Sequence, residues 1–443
     1  MVGKGGNAPL PSGVVGRSEW GTGNRKQETG NGAMPAQNGR SFIAGFRFPV
    51  FHSPIRSLCS GLLLLAFLRP AFAAAEPVVR VGLFLADGSE DSEAAELRRG
   101  AELAAQECGE TCSLLAAAQG GQWSAGAGGL VRLVYTEGIT AVLGSADNRS
   151  AHLAEQVAAR AKGRFVLLTP WASDPSLTQI KVPWFFRLVP DDRRQAEALL
   201  HEIHRARALP TAVAIVAADT ESHAALESLK KGAPTLGVPP PREIHLGAGG
   251  LDRDRFATDV RAAGAQALLI LAPPAIAAQV VRSIRAAGVT LPFFGPLRLA
   301  TRAFLDAAGT AAEGMTLAAP APASSPAVEQ FRARYRARYQ REPSTPAAYG
   351  YDGAIVLIDA LRSTRASDGE SVAAALAATR RAGLTGHIEF DRHGNRAGPA
   401  ALAQVEHGQL QAVHCKEALP EPSDRLVTPP QPGMFHFVER ISR

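Results

Sequence analysis

The 443-residue sequence has few cysteines (four) and few aromatic residues, which make up 6% of the chain. It also lacks two motifs that would indicate a particular chemistry. No G-x-S-x-G nucleophile elbow is present, and no glycine-rich segment continues into the Gly-Lys-Ser/Thr of a P-loop. His201 and His204 are three residues apart, which is not the H-E-x-x-H spacing of zinc enzymes. We therefore expect no enzyme, no metal site and no cofactor.

Outside the first 73 residues the sequence has no excess of positive or negative charge. The formal net charge is +6, but residues 1–73 contain eight of the 47 Lys and Arg and two of the 41 Asp and Glu, which leaves 39 of each. Because the remainder is neutral, charge gives no case for a nucleic-acid partner. The 46% of hydrophobic and 20% of charged residues are typical of a folded protein, and the length predicts two domains.

Residues 1–73 are predicted to be a leader with an export signal. Arg56 precedes an apolar segment at residues 58–68, which is too short to cross a bilayer as a helix. Residues 71–73 read Ala-Phe-Ala, the small-x-small pattern of a signal cleavage site. Met34 is an alternative start of translation. If the signal is removed, the product lies outside the cytoplasm.

The best-defined pattern lies between Thr140 and Asp192. Two short apolar runs, at residues 140–143 and 165–168, each stop at a polar turn, and apolar residues at three-and-four spacing between them predict a helix. This order of strand, turn and helix is the repeating unit of a parallel sheet covered by helices. Because open α/β sheets bind ligands beyond the carboxyl ends of their strands, we expect a ligand site at the two turns.

The same alternation occurs on both sides of this segment. Residues 78–85 predict a strand and residues 93–106 a helix, and strands alternate with helices again beyond Asp192. This repetition predicts a second parallel sheet. Residues 120–129, GGQWSAGAGG, are predicted to be a flexible connection rather than a phosphate-binding loop.

Three consecutive segments, VLGSADNRSAHLAEQVA, LLTPWASDPSLT and FFRLVPDD, resemble the Leu/Ile/Val-binding protein family, the type I periplasmic solute-binding proteins of ABC importers. Further segments, among them AAYGYDGAIVLIDAL and LTGHIEFDRHGNRAGPAALAQVEHGQL, extend the resemblance to about residues 78–413, and an Asp-x-x-Gly turn is expected to join two strands of a closing hairpin. The resemblance implies a two-lobed α/β fold in which each lobe is a parallel sheet flanked by helices and hinge strands join the lobes. The expected division is 1–73 leader, 78–188 plus 320–385 lobe 1, 190–316 plus 386–413 lobe 2, and 414–443 an irregular tail.

The resemblance also implies a function. An exported, periplasmic substrate-binding protein of an ABC importer would capture a small polar solute, such as an amino acid, an amide or a small organic acid, by hinge closure. Its partners would be this ligand and the membrane subunits of the importer, and we expect a monomer. A ligand sensor of the same fold without a transport role is the alternative.

The turns that hold the ligand in this family give the candidate ligand-binding residues: Ser145, Asp147, Asn148, Trp171, Ala172, Ser173, Glu221, Ser222 and Arg298. Asp147 and Asn148 stand opposite paired serines of the family, and Leu297 stands in a position that is often acidic. We therefore expect a ligand anion to be drawn to Arg298 and a polar or cationic group to Asp147, with Trp171 as a flat wall. Leucine, isoleucine and valine should bind weakly or not at all.

Three cysteines follow the predicted signal. Cys108 and Cys112 lie at a predicted helix end, so a local disulfide is feasible if the helix unwinds at Gly109. Two unpaired thiols are the alternative, and Cys415 is left over in either case. Export would place the chain in a compartment where disulfides persist.

Overall fold

The structure is a computed structural model that describes residues 78–85, 89–90, 92–117, 123–247, 253–321, 325–365 and 368–413. All described residues belong to one compact unit. The predicted export signal and the predicted C-terminal tail lie outside the described residues.

The first sheet contains five strands, all parallel, in the order β2-β1-β3-β4-β5. Strands β3, β4 and β5 are buried along their whole length. Burial on both faces explains why β3 and β4 are short apolar runs and do not alternate with polar residues. The strands are β1 (Val79–Phe84), β2 (Cys112–Ala116), β3 (Ala141–Gly144), β4 (Val166–Thr169) and β5 (Phe185–Arg187), with helices α1 (Glu93–Glu107), α2 (Trp123–Tyr135) and α3 (Asn148–Ala161) between them.

The second sheet has seven strands in the order β14-β13-β10-β9-β8-β6-β7. Its pairs are parallel from β7 to β10, and β13 and β14 extend it in antiparallel fashion. The strands are β6 (Ala212–Val216), β7 (Arg242–His245), β8 (Ala267–Leu271), β9 (Phe293–Gly295), β10 (Thr316–Leu317), β13 (Ala403–Glu406) and β14 (Gln409–Ala412). The helices of this part are α4 (Asp192–His201), α5 (Thr220–Thr235), α6 (Arg253–Ala262), α7 (Pro274–Ala286) and α8 (Arg302–Ala308), and a π-helical turn continues α4.

Three helices follow β10: α9 (Pro326–Tyr339), α10 (Thr345–Ser363) and α11 (Gly369–Ala377). Helices α1 and α10 pack backbone to backbone. A Cβ atom built on Gly100 would fall well within 3.0 Å of the Ala347 carbonyl oxygen, and one on Gly350 equally close to the Leu97 carbonyl oxygen. Two glycines on facing helices therefore permit this close contact.

The two separate sheets, with helices between their strands, confirm the predicted α/β class. Within the described residues, no helix is both long and apolar enough to cross a membrane. The residue limits of the two lobes stay a proposal.

Two local predictions differ from the structure. Helix α2 begins at Trp123, so the flexible connection predicted for residues 120–129 is wrong from that residue onward. The glycines of this stretch, which each cost about 1 kcal/mol in a helix, concealed the helical pattern.

The second difference is the closing hairpin. The turn at Asp391 is present, but β12 (Gly386–Glu389) before it pairs with β11 (Arg380–Gly383). Across the turn, Phe390 and Arg396 form an isolated antiparallel bridge, and the Ala397 N–H donates to the Glu389 carbonyl oxygen at 2.7 Å.

Cys108 and Cys112 form a disulfide with their Cα atoms 5.5 Å apart, within the range of protein disulfides. Helix α1 ends at Glu107 with Cys108 as its C-cap, and Gly109 adopts a left-handed conformation with φ of +65°. The sequence predicts that a disulfide is feasible only if the helix unwinds at Gly109, and the structure meets this condition. The disulfide joins the end of α1 to the start of β2.

Candidate ligand-binding cleft

A cavity of about 240 Å³ lies where strands of both sheets end. Residues after β3 and β4 line it from the first sheet, and residues after β9 and at the starts of α4 and α5 line it from the second. We call this cavity the cleft. It is lined by Glu93, Ala146, Asp147, Asn148, Trp171, Ser173, Asp192, Gln195, Glu221, Ala225, Pro296, Leu297 and Arg298. This is the edge at which open α/β sheets bind ligands.

The turn after β3 is held by its own polar side chains. Asp147 caps helix α3, and its Oδ1 accepts a hydrogen bond from the Ser150 N–H at 2.8 Å. Asn148 Oδ1 accepts from the N–H groups of Ser173 at 2.9 Å and Asp174 at 3.0 Å. Asn148 therefore connects the two turns of the first sheet and fixes their separation.

The turn after β4 supplies the aromatic wall. Trp171 is 8% exposed, lines the cleft and packs edge-on against Tyr349, with ring centroids 5.8 Å apart. Ala172, the next residue, is buried, and its N–H donates to Thr169 Oγ1 at 3.3 Å. Packing against Tyr349 thus holds the indole in place at the wall of the cleft.

Arg298 comes from the second sheet and is already paired. Its guanidinium lies 2.9 Å from Asp219 Oδ1 and 3.0 Å from Glu221 Oε2. Although burial opposes it, hydrogen bonds from Ser222 and Arg298 lower the pKa of Asp219. Two carboxylates therefore already pair with Arg298, which opposes the binding of a ligand anion there. The expectation that Arg298 attracts a ligand anion stays a prediction.

Glu221 reaches across the cleft from the start of α5. Its Oε1 accepts a hydrogen bond from the Asn148 backbone N–H at 3.4 Å, while its other oxygen holds Arg298. Burial raises the pKa of Glu221. This one side chain connects the first residue of α3 with the second-sheet side of the cleft.

Sequence analysis missed three polar residues of the cleft. Asp192, the first residue of α4, is buried, and this burial raises the pKa of its carboxyl to about 7. Gln195 lies one turn later, and its Oε1 accepts from the Leu297 N–H at 2.8 Å. Glu93 comes from the first turn of α1. Asp192 and Gln195 follow β5, so applying the strand-end rule to that strand as well would have found them.

Six of the nine candidate residues line the cleft: Asp147, Asn148, Trp171, Ser173, Glu221 and Arg298. The other three, Ser145, Ala172 and Ser222, are buried beside it. Ser145 Oγ donates to the Asp147 carbonyl oxygen at 2.9 Å, so it supports the turn. Within the ranges that the structure describes, no group of three or more His, Cys, Asp or Glu could hold a metal ion.

An ion pair stabilises the second turn, and its pH dependence can be predicted. His152 Nε2 lies 2.9 Å from Asp174 Oδ2, and this hydrogen bond, with a smaller contribution from Glu155, raises the pKa of His152 to about 9. A folded-state pKa above the ordinary value of 6.5 means that the stabilisation is complete below pH 6.5 and is lost as the pH rises through 9.

We expect the difference in unfolding free energy between wild type and His152→Asn to be largest at pH 6 and to disappear by pH 10. Urea titrations at these two pH values measure it. Because the His152 side chain is 35% exposed, solvent screens part of the effect. A difference that is the same at both pH values would contradict this role of the ion pair.

A sequence model described as "Periplasmic binding protein" matches residues 78–409. No curated protein sequence is significantly similar to the chain. Solved structures are similar in fold. A leucine-binding protein, LivK, from Thermotoga maritima is 21% identical with a TM-score of 0.66, and the match covers 78% of this chain and 100% of that one.

Two further structures are similar to the same extent. The substrate-binding protein LivJ from Streptococcus pneumoniae, in complex with isoleucine, is 20% identical, with a TM-score of 0.65 and coverage of 76% and 98%. A solute-binding protein of an ABC transporter from R. palustris, in complex with benzoate, is 18% identical, with a TM-score of 0.65 and coverage of 76% and 95%. At these identities the likeness concerns the fold, which confirms the predicted two-lobed architecture. Because the family model covers most of the sequence, the chain belongs to the periplasmic binding protein family.

Proposed function

We propose that this protein is the exported substrate-binding protein of an ABC importer and that it captures a small polar solute in the cleft. The observation that carries the proposal is a cavity at the strand ends of both sheets, with polar side chains from each side and an indole wall at Trp171. The volume of about 240 Å³ suits a small molecule, since sites for drug-sized ligands are larger, roughly 300–1,000 Å³. The similar structures bind leucine, isoleucine and benzoate, all of them small.

Hinge closure would turn binding into a transport signal. In this proposal the two lobes close around the ligand, as in other periplasmic binding proteins, and the importer distinguishes the closed form from the open one. The segment between β5 and α4 passes from the first sheet to the second-sheet helices and is a candidate hinge strand. Its neighbour is the turn at Gly394, whose carbonyl oxygen accepts from the Arg187 N–H at 2.8 Å.

The proposed location is the periplasm, and the proposed partners are the importer's membrane subunits and a small-molecule ligand; the protein would act as a monomer. Family membership and the leader sequence support export. Amino-terminal sequencing of periplasmic material is expected to begin at Ala74 or within a few residues of it. A full-length product confined to the cytoplasm would overturn this part of the proposal.

A thermal-shift screen tests the binding function. Mature protein is screened against amino acids, amides, amines, small carboxylates and aromatic acids. A ligand that binds only the folded state adds about 2.7 kcal/mol of stability at a hundred times its dissociation constant, which raises the melting temperature by several degrees. We expect hits of this size from one chemical class.

The same screen on a blocked cleft locates the site. Ala225 lines the cleft from α5, so Ala225→Phe should fill it and abolish the shift. Lys231→Phe, at an exposed position on the same helix, is the matched control and should keep the shift. Shifts that survive in Ala225→Phe would place the ligand elsewhere. Uptake of the identified compound by cells then separates an importer component from the alternative, a sensor of the same fold.

A further inference from the structure

The cleft carries more negative than positive charge. Four carboxylates line it, from Glu93, Asp147, Asp192 and Glu221, and Arg298 is the single cation among the described residues of the lining. Asp219, immediately behind Arg298, adds a fifth carboxylate. Arg298 pairs with both Asp219 and Glu221, so the described residues of the lining have no unpaired positive charge for a ligand anion.

The helix N-termini at the cleft do not reverse this balance. Helices α1, α3, α4 and α5 all begin beside it, and each helix N-terminus carries roughly half a positive charge. Together these would supply about two positive charges. Because burial raises the pKa of Asp192 to about 7, its carboxyl carries only part of a negative charge near neutral pH. Even without Asp192, the carboxylates of Glu93, Asp147, Glu221 and Asp219 less the charge of Arg298 exceed that sum.

The protein's own carboxylates also occupy the donors that a ligand carboxylate would use. Asp147 accepts from the Ser150 N–H, and Asp219 accepts from the Ser222 N–H at 3.1 Å. Glu221 accepts from the Asn148 N–H, the exposed start of α3. A ligand carboxylate would have to displace Glu221 from both Asn148 and Arg298 and then lie beside Asp147.

The wall of the cleft that Trp171 forms favours a cationic ligand. The Trp171 ring lines the cleft on the same side as Asp147, and a cationic nitrogen within about 6 Å of an indole face is attracted by the ring. Tyr349 packs edge-on behind Trp171 and holds the ring in place. Asp192 is nine-tenths buried and lines the same cavity.

We propose that the ligand is a small organic cation without a carboxylate, such as an amine, an amidine or a guanidine. This inference rests on the proposed solute-binding function and names the chemical class for that same cleft. Its ammonium or amidinium group would lie between Asp147, Asp192 and Glu221, and its apolar or planar part against Trp171. The ligand then supplies the positive charge that the lining lacks.

Two matched pairs of compounds test the proposal: isopentylamine against leucine, and benzamidine against benzoate. Each pair shares its apolar part and differs in the charged group. Calorimetric titration is done at pH 7.5 in 20 mM salt, because salt screens exposed charges. We expect each cation to bind at least ten times more tightly than the carboxylate-bearing compound of its pair.

The outcomes separate this proposal from the function it rests on. Leucine or benzoate binding as tightly as its partner would overturn the cationic class and leave the solute-binding function standing. Binding of a neutral compound in the thermal-shift screen, with no binding of isopentylamine or benzamidine, would also overturn the cationic class and leave the solute-binding function standing. If no compound binds in either experiment, both proposals fail.

A charge variant gives a second readout on the same site. Glu221→Gln removes one negative charge from the cleft with little change of shape. It should weaken binding of benzamidine about tenfold or more and move the preference toward benzoate. Glu227→Gln, at an exposed position on the same helix where Glu227 pairs with Lys230, is the matched control and should change neither affinity. An equal effect of both variants, or an unchanged preference in Glu221→Gln, would contradict the proposal.

Discussion

Gly100→Ala and Gly350→Ala are each expected to destabilise the protein by about 3 kcal/mol or more. In each variant the new methyl group would lie well within 3.0 Å of a carbonyl oxygen on the opposite helix, Ala347 in one case and Leu97 in the other. A backbone oxygen cannot rotate aside as a flexible side chain can. Helices α1 and α10 would have to separate, and the first sheet would lose part of the core that they cover. Urea unfolding of the mature variants measures the loss.

Gly128→Ala is the control for this prediction, and its effect should have the opposite sign. Gly128 also lies in a helix, α2, but it is exposed and a Cβ there would contact nothing within 4 Å. Alanine in that position should stabilise the protein by about 0.5–1 kcal/mol, since glycine loses more chain entropy on folding. If Gly100→Ala is as harmless as Gly128→Ala, helices α1 and α10 do not pack as closely as described.

Arg187→Met is expected to cost about 3–5 kcal/mol of stability. Arg187 has no exposed surface in its side chain. Its guanidinium donates to Asn395 Oδ1 at 2.6 Å, to Thr178 Oγ1 at 2.9 Å and to the Asp174 carbonyl oxygen. Methionine has a similar length but no donor, so it would leave these buried acceptors without their partner. The network joins β5, the second turn of the cleft and the turn at Asn395, so the loss should also loosen the cleft.

Arg193→Met is the matched control, because Arg193 also pairs with an acidic partner of Arg187. Asp191 Oδ2 lies 2.8 Å from the Arg193 guanidinium and 3.8 Å from that of Arg187. The Arg193 side chain is 55% exposed, so solvent screens its pair with the buried Asp191, and its loss should cost less stability than the loss of Arg187. Denaturant midpoints of the two variants should therefore differ clearly. Equal midpoints would show that burial of Arg187 does not determine its contribution.

The fold could be predicted from the sequence because its buried parallel strands are short, continuous apolar runs that end at polar turns. The runs that form β3, β4 and β6 show this pattern, and the run that forms β8 ends at Pro273 and Pro274 instead. Only the first half of helix α2 was missed, because this half is rich in glycine and its local composition disagrees with the structure formed. The pairing of β12 with β11 was missed because the two residues that join them, Leu384 and Thr385, lack the Asn-Gly or Asp-Gly signal of a short hairpin.

The location of the cleft could also be predicted, but its electrostatics could not. The strand-end rule placed the turns of Asp147 and Trp171 together, and the family resemblance added Glu221, which lines the same cleft. The same rule says nothing about which charges pair. Asp219 and Glu221 both fold onto Arg298, so an arginine that reads as an anion site in the sequence is neutralised in the structure. Pairing of this kind depends on side-chain distances of about 3 Å, which one sequence does not contain.

Hydrogen–deuterium exchange tests the central claim, that this protein binds its solute in the cleft, most directly. The measurement compares the mature protein alone and with the compound that gives the largest rise in melting temperature. Ligand in the cleft should protect amides in three turns, at residues 145–148, 171–174 and 219–222. A second cavity of about 80 Å³, lined by residues such as Val328, Phe331 and Leu384, offers the contrast. Protection confined to that second cavity, with the three turns unchanged, would contradict the account.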